Sequence, residues 1–168
     1  MSHPLVVALF PTPDAAAVAA RALHAAGVTR EQISVISRNH DEESTVAEDV
    51  GGPPGAEIED SRAAARLGEL SGYLFAAIAL VLPGIGPIVA EGPLAADLGE
   101  AAGHAAGGVA SALTGAGLTP ERAHAIERAV EGGAILLGVH TAESQLDGVR
   151  AALRTAGATD IETAQWLE

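Results

Sequence analysis

The sequence predicts an α+β fold: a ferredoxin-like domain of two βαβ halves forming a four-stranded antiparallel sheet, interrupted by a large Ala/Gly-rich helical-hairpin insertion. Three observations lead there. A β-type run, a helix and a second β-type run open the chain, and a strand, an amphipathic helix and an edge-like strand close it. Between them, from 39 to 133, lie about 95 residues of different composition.

LVVALF (5–10) is the first strand, ended by Pro11. TPDAAAVAARALHAAG follows as a helix, with Thr12 as N-cap, Pro13 at the first helical position and Gly27 as the stop. QISVIS (32–37) alternates apolar and polar residues and is a second strand. AILLGVHT (134–141) reads as a third strand of buried type. AESQLDGVRAALRTAG is a helix with Leu146, Val149 and Leu153 on one face, and DIETAQ is a last, edge-like strand. The halves parallel one another: Thr12 and Thr141 each open a helix after a strand, and ALHAAG matches ALRTAG once one residue is inserted. Right-handed crossovers place both helices on one face of the sheet. A flavodoxin-type parallel sheet is disfavoured, because only four strands are visible and the Gly-rich segment follows no strand in phosphate-binding register.

The domain boundaries follow. Residues 1–39 and 133–168 form the split ferredoxin-like domain, 40–60 an acidic linker, and 61–132 an inserted helical hairpin plus one further helix. Ser61 caps RAAARLGELSGYLFAAIALVL, and PGIGP (83–87) stops that helix with two prolines. PLAADLGEAAGHAAGGVASALTGAG returns as its partner. TPERAHAIERAVEGG then forms a helix with Thr119 as cap and Pro120 at its first position. The hairpin carries small residues four apart: Gly68, Gly72 and Ala76 on one helix, and Ala95, Gly99, Gly103, Gly107, Ser111 and Gly115 on the other. Such stripes let backbones approach closely, and Gly68, Gly72, Ala76, Gly99, Gly103, Gly107 and Ser111 are the predicted homo-oligomer interface.

With 22 acidic against 9 basic residues, the net charge of -13 repels phosphate backbones, so nucleic acid is not an expected partner. The absence of cysteine excludes disulfides and Cys-based zinc sites. No secretory signal pattern is visible at the start, which points to the cytoplasm. No charge occurs from 70 to 90, a run of about 21 residues that nominally suffices to cross a bilayer. The proline break leaves a helix of only about 20 Å before it, and the partner helix carries Asp97, Glu100 and His104. Burial in protein is therefore preferred over the alternative, membrane insertion of the 70–113 hairpin.

Candidate chemistry is sparse. Asp97, Glu100 and His104 share a helical face at spacings of three and four, and are the candidate metal ligands. A solvated polar face is the simpler reading of the same spacing. His140 ends the third strand and Pro11 follows the first, so the two are expected near one sheet edge. His24 and His124 lie on amphipathic helices as surface residues. GIGPIVAEG lacks the Lys-Ser/Thr ending of a phosphate loop.

In VVALFPTPDAAAVAARALHAAGV, then LPGIGPIVAEGPLAADLGEAAGHAAGG, then RAVEGGAILLGVHT, the chain resembles the bacterial general-stress-protein family of the YflT-like type. That resemblance implies a stress-associated protein without established biochemical activity, and it brings no catalytic residues. The expectation is a non-enzymatic structural or interaction protein that needs no cofactor and has itself as partner. It would self-assemble through the glycine-zipper hairpin. Membrane association and metal or small-ligand binding are the alternatives.

Overall fold

The computed structural model describes residues 2–38, 78–82, 86–94 and 108–167. Strand β1 (Ser2–Phe10) leads into helix α1 (Pro13–Ala25), a short 3₁₀ turn (Arg30–Gln32) and strand β2 (Ile33–Arg38). The insertion contributes strands β3 (Ile78–Leu82) and β4 (Gly86–Glu91) and helices α2 (Val109–Gly115) and α3 (Pro120–Glu131). Strand β5 (Ile135–His140), a 3₁₀ turn (Glu143–Gln145), helix α4 (Leu146–Thr155) and strand β6 (Asp160–Leu167) complete the chain.

The four predicted strands lie side by side in the order β2-β5-β1-β6, all antiparallel. In each βαβ half, one strand of the other half lies between the two, an arrangement compatible with a ferredoxin-like domain. Strand alternation divides the core into two layers. Val6, Ala8 and Phe10 of β1, Ile33 and Val35 of β2, and Ile135, Leu137 and Val139 of β5 face Leu23 of α1 and Val149 and Leu153 of α4. Leu5, Val7, Leu9, Ile36 and Leu136 face the opposite way, onto Val109 and Leu113 of α2 and Ile126 and Val130 of α3. Both faces of the sheet are thus covered, the second by helices from the insertion.

The expected punctuation holds where it is described. Thr12 Oγ1 accepts the Ala15 amide, and Thr119 Oγ1 accepts that of Arg122. The repeat between the halves is visible at the helix ends. The Val28 amide bonds Leu23 O and that of Ala158 bonds Leu153 O, across Gly27 and Gly157 in the left-handed region. Thr141 does not cap α4, contrary to the parallel with Thr12. It is buried beside the sheet, its amide donating to Pro4 O at 3.0 Å, and the 3₁₀ turn intervenes.

Two corrections concern the insertion. Residues 78–82, expected as the end of a helix, are a strand that pairs with β4 from Ile78↔Ala90 to Leu82↔Gly86. A continuous apolar run such as YLFAAIALVL (73–82) is ambiguous by periodicity alone. Here β4 supplies ladder partners to the outer edge of β2, from Val35↔Glu91 to Arg38↔Ile88, and β3 supplies them to β4. Pro87 stands just before the first described β2–β4 pair, Arg38↔Ile88. The second correction is at Gly108, which is extended (φ -156°, ψ -177°), so α2 starts afresh at Val109. A repeat of four on one continuous helix therefore does not run from Gly107 to Ser111. The acidic linker 40–60, the Ser61 cap and the rest of the expected hairpin fall outside the described residues.

Contacts specific to the insertion tie it to the sheet. After β4 the chain turns at Gly92, whose backbone lies against Ile33 O and Ser34, and the Leu94 amide donates to Ser34 Oγ at 3.0 Å. The Leu94 side chain then sits over Gly138 in β5, where a Cβ would meet its Cδ1 at 2.5 Å. Gly108 has no side chain with which to cap α2. A Glu127 carboxylate oxygen on α3 instead accepts the Ala110 amide at 2.8 Å.

Candidate functional site

Three rings meet on the α2/α3 face at the end of the sheet where β1 begins and β5 and β6 finish. The register sets His3 opposite Trp166, and Leu5 opposite both His140 and Ala164. Residues paired across antiparallel strands share a face, and so do alternate residues along one strand, so His3, His140 and Trp166 all point to the same side. His3 Nε2 lies 2.8 Å from His140 Nδ1. Trp166 stands edge-on to His140, with centroids 4.7 Å apart and planes at 81°.

The backbone beneath is fixed from both sides. His140 O accepts from Gln32 Nε2 at 2.9 Å, and the next residue, Thr141, bonds to Pro4. His140 is 8% exposed, while His3 and Trp166 are half-buried. The two imidazole nitrogens share one N–H between them. An ion held between them would need about 2.0–2.1 Å to each nitrogen, so the line joining them has no room for a metal.

A second polar group ties α3 to the edge strand β6. Arg122 donates to Asp160 at 2.7 Å and also pairs with Glu162. The Asp160 carboxylate foremost, then Glu162, holds the Arg122 guanidinium above its ordinary pKa, so it is a permanent cation at any physiological pH. With side chains about 40% exposed, the group fastens two elements and has no sequestered volume for chemistry.

The candidate metal ligands Asp97, Glu100 and His104 lie outside the described residues, as do Gly68, Gly72, Ala76, Gly99, Gly103 and Gly107 of the expected interface. Ser111 is described: it is exposed on α2, turned away from the buried Val109, Ala110, Ala112 and Leu113. Among the described residues no three metal-ligating side chains converge. The expected meeting of His140 with Pro11 does not occur. β1 and β5 are antiparallel, so Ile135 stands opposite Phe10 while His140 is opposite Leu5 at the far end. His124 is exposed, as expected, and lies 3.6 Å from Glu127. His24 is also exposed, with Nδ1 3.3 Å from Val28 O.

His3 and Trp166 were not picked out by sequence. Both strands run beyond the patterns that revealed them, β1 starting before LVVALF and β6 continuing after DIETAQ. Strand order and register together bring the rings into one place. Comparison with family models, with curated proteins and with solved structures found no match.

Proposed function

We propose that the protein is a non-enzymatic, stress-associated structural or interaction protein that works as a self-assembled homo-oligomer in the cytoplasm. The stress association rests on the resemblance to YflT-like general stress proteins. Self-assembly rests on one observation above others: β3 stands last in the sheet order, and its sequence is Ile-Ala-Leu-Val-Leu. Edge strands are ordinarily guarded by charge, proline or a bulge, and an unguarded apolar edge is a template for pairing with another chain.

Antiparallel ladders alternate between hydrogen-bonded and non-bonded pairs. The bond from the Thr141 amide to Pro4 O sets the phase. Counted through β5, β2 and β4, that phase directs the N–H and C=O of Ala79 and Val81 outward, with no ladder partner among the described residues. A second copy offering the same edge would satisfy them. The small-residue stripe is the other route to assembly, although Gly108 interrupts it before Ser111. No helix among the described residues is long and apolar enough to cross a membrane.

Sedimentation equilibrium tests the reading. The wild-type chain is expected to have a mass above that of one chain, and Ala79→Pro, which removes an outward N–H and spares the β4 ladder, is expected to lower it. A wild-type protein that is monomeric at every concentration would end the self-assembly reading. If Ala79→Pro keeps the wild-type mass while Gly103→Leu with Gly107→Leu lowers it, assembly runs through the stripe and the edge has no part in it.

A further inference from the structure

We propose that the turn between α2 and α3 guards the outer edge of β6 against pairing with a second copy of the chain, and that Gly117 is the residue that lets it sit there. The inference stands on contacts within one chain and does not rest on assembly through β3. Strand β6 ends the sheet on the side opposite β3. A chain able to pair at both edges would add copies head to tail without limit, so one of the two needs a cover.

The phase of the ladders fixes which backbone groups of β6 face outward. The Pro4 carbonyl accepts from Thr141 beside β5, and the Leu9 carbonyl accepts from Thr159 just before β6. Odd-numbered residues of β1 therefore bond toward β6, where they meet Glu162, Ala164 and Trp166. The N–H and C=O groups of Ile161, Thr163 and Gln165 are left pointing outward, with no ladder partner among the described residues. The strand carries no lysine or proline, and its carboxylates, Asp160 and Glu162, are engaged by Arg122. Thr163 and Gln165 are exposed and neutral, so the edge depends on a cover from elsewhere in the chain.

Gly117 supplies that cover. ALHAAGVT (22–29), ALTGAGLT (112–119) and ALRTAGAT (152–159) end α1, α2 and α4 in the same way. In each the leucine is fully buried, the glycine is in the left-handed region, and the amide after it returns to the leucine carbonyl, at 3.1, 3.0 and 3.1 Å. What differs is the surroundings of the glycine. Gly27 and Gly157 face open space, whereas a Cβ on Gly117 would lie 2.7 Å from Gln165 O and 3.5 Å from Gln165 N. Those are outward groups of the β6 edge, so the turn lies across them, and only a residue without a Cβ comes so close. Leu118, buried in the α2/α3 layer, and Arg122, paired with Asp160 and Glu162, hold the turn in place.

Gly117→Ala tests the guard against Gly157→Ala, which carries the same left-handed strain, at φ +95° against +99°, but meets nothing. Both are made in the Ala79→Pro background and compared with that parent by sedimentation equilibrium, so the outcome does not depend on whether β3 pairs. Gly117→Ala is expected to raise the mass about twofold or more as uncovered β6 edges pair between copies, while Gly157→Ala keeps the parent's mass. Adding Thr163→Pro, which removes an outward N–H and spares the β1 ladder, should return Gly117→Ala to the parent's mass. Equal masses for the two glycine variants, or a rise that Thr163→Pro does not reverse, would overturn the proposal. Should Gly117→Ala fail to fold by circular dichroism, Gly117→Asn against Gly157→Asn decides on the same criteria, because asparagine enters the left-handed region with less strain.

Discussion

Replacing Leu94 by alanine, alone and together with Gly138→Ala, tests whether the insertion is built into the sheet. Leu94 is fully buried, its amide is held by Ser34 Oγ, and its Cδ1 fills the notch left by Gly138. Truncating a leucine at such a site costs about 2–5 kcal/mol. Gly138→Ala alone brings a methyl within 2.5 Å of Leu94 Cδ1 and 3.6 Å of Leu5 Cδ1. Overpacking of that kind costs about 1–3 kcal/mol, offset by the ~0.5–1 kcal/mol that alanine saves over glycine in a strand. In the Leu94→Ala background the new methyl enters vacated space, and Gly138→Ala turns from destabilising to neutral or stabilising. The cycle should therefore show a coupling of about 1–3 kcal/mol, well beyond the roughly 0.5 kcal/mol typical of independent sites. Urea unfolding followed by circular dichroism and by Trp166 fluorescence measures all four variants. Additive effects would refute the seating of Leu94 over Gly138, and with it the crossing of the insertion over the β2/β5 face.

Two further outcomes bear on how the insertion is held. Glu127→Ala removes the carboxylate that accepts the Ala110 amide and should cost about 1 kcal/mol in thermal or urea unfolding, with Glu127→Gln recovering part of the loss. Gly27→Ala and Gly92→Ala both force a left-handed backbone on alanine, at φ +89° in each case. Gly27 faces open space, so its cost is conformational alone, about 1–2 kcal/mol. At Gly92 the methyl also collides with Ile33 O and Ser34. Its loss of stability should clearly exceed that of Gly27→Ala in the same urea assay.

What the sequence revealed was carried by local punctuation. Thr12, Pro13 and Gly27 bracket α1, and Thr119 and Pro120 open α3. β1 and β5 read as nearly continuous apolar runs because each is buried on both faces, while QISVIS in β2 alternates apolar and polar residues. The sheet order and the placement of α1 and α4 on one face followed from those elements and the handedness of the crossovers. The stretch at 78–82 went astray because it ends the continuous apolar run YLFAAIALVL (73–82), which has no period to read. Its state is decided by the edge of β4, which is itself seated on β2 by a non-local pairing. Gly108 failed for the opposite reason: a four-residue repeat implies a helix, yet one extended glycine is enough to break it. The ring cluster required register. His3 and His140 are 137 residues apart, and only the antiparallel β1–β5 and β1–β6 pairings bring them together with Trp166.

The proposed self-assembly turns on β3 as the apolar last strand of the sheet among the described residues, and amide hydrogen exchange at 78–82, measured as a function of protein concentration, tests this most directly. The amides of Ile78 and Leu80, directed at β4, should be protected at all concentrations. Those of Ala79 and Val81 should exchange freely in dilute protein and become protected as copies associate. Uniformly fast exchange across the segment would contradict the strand. Protection of Ala79 and Val81 that does not change with concentration would contradict the open edge.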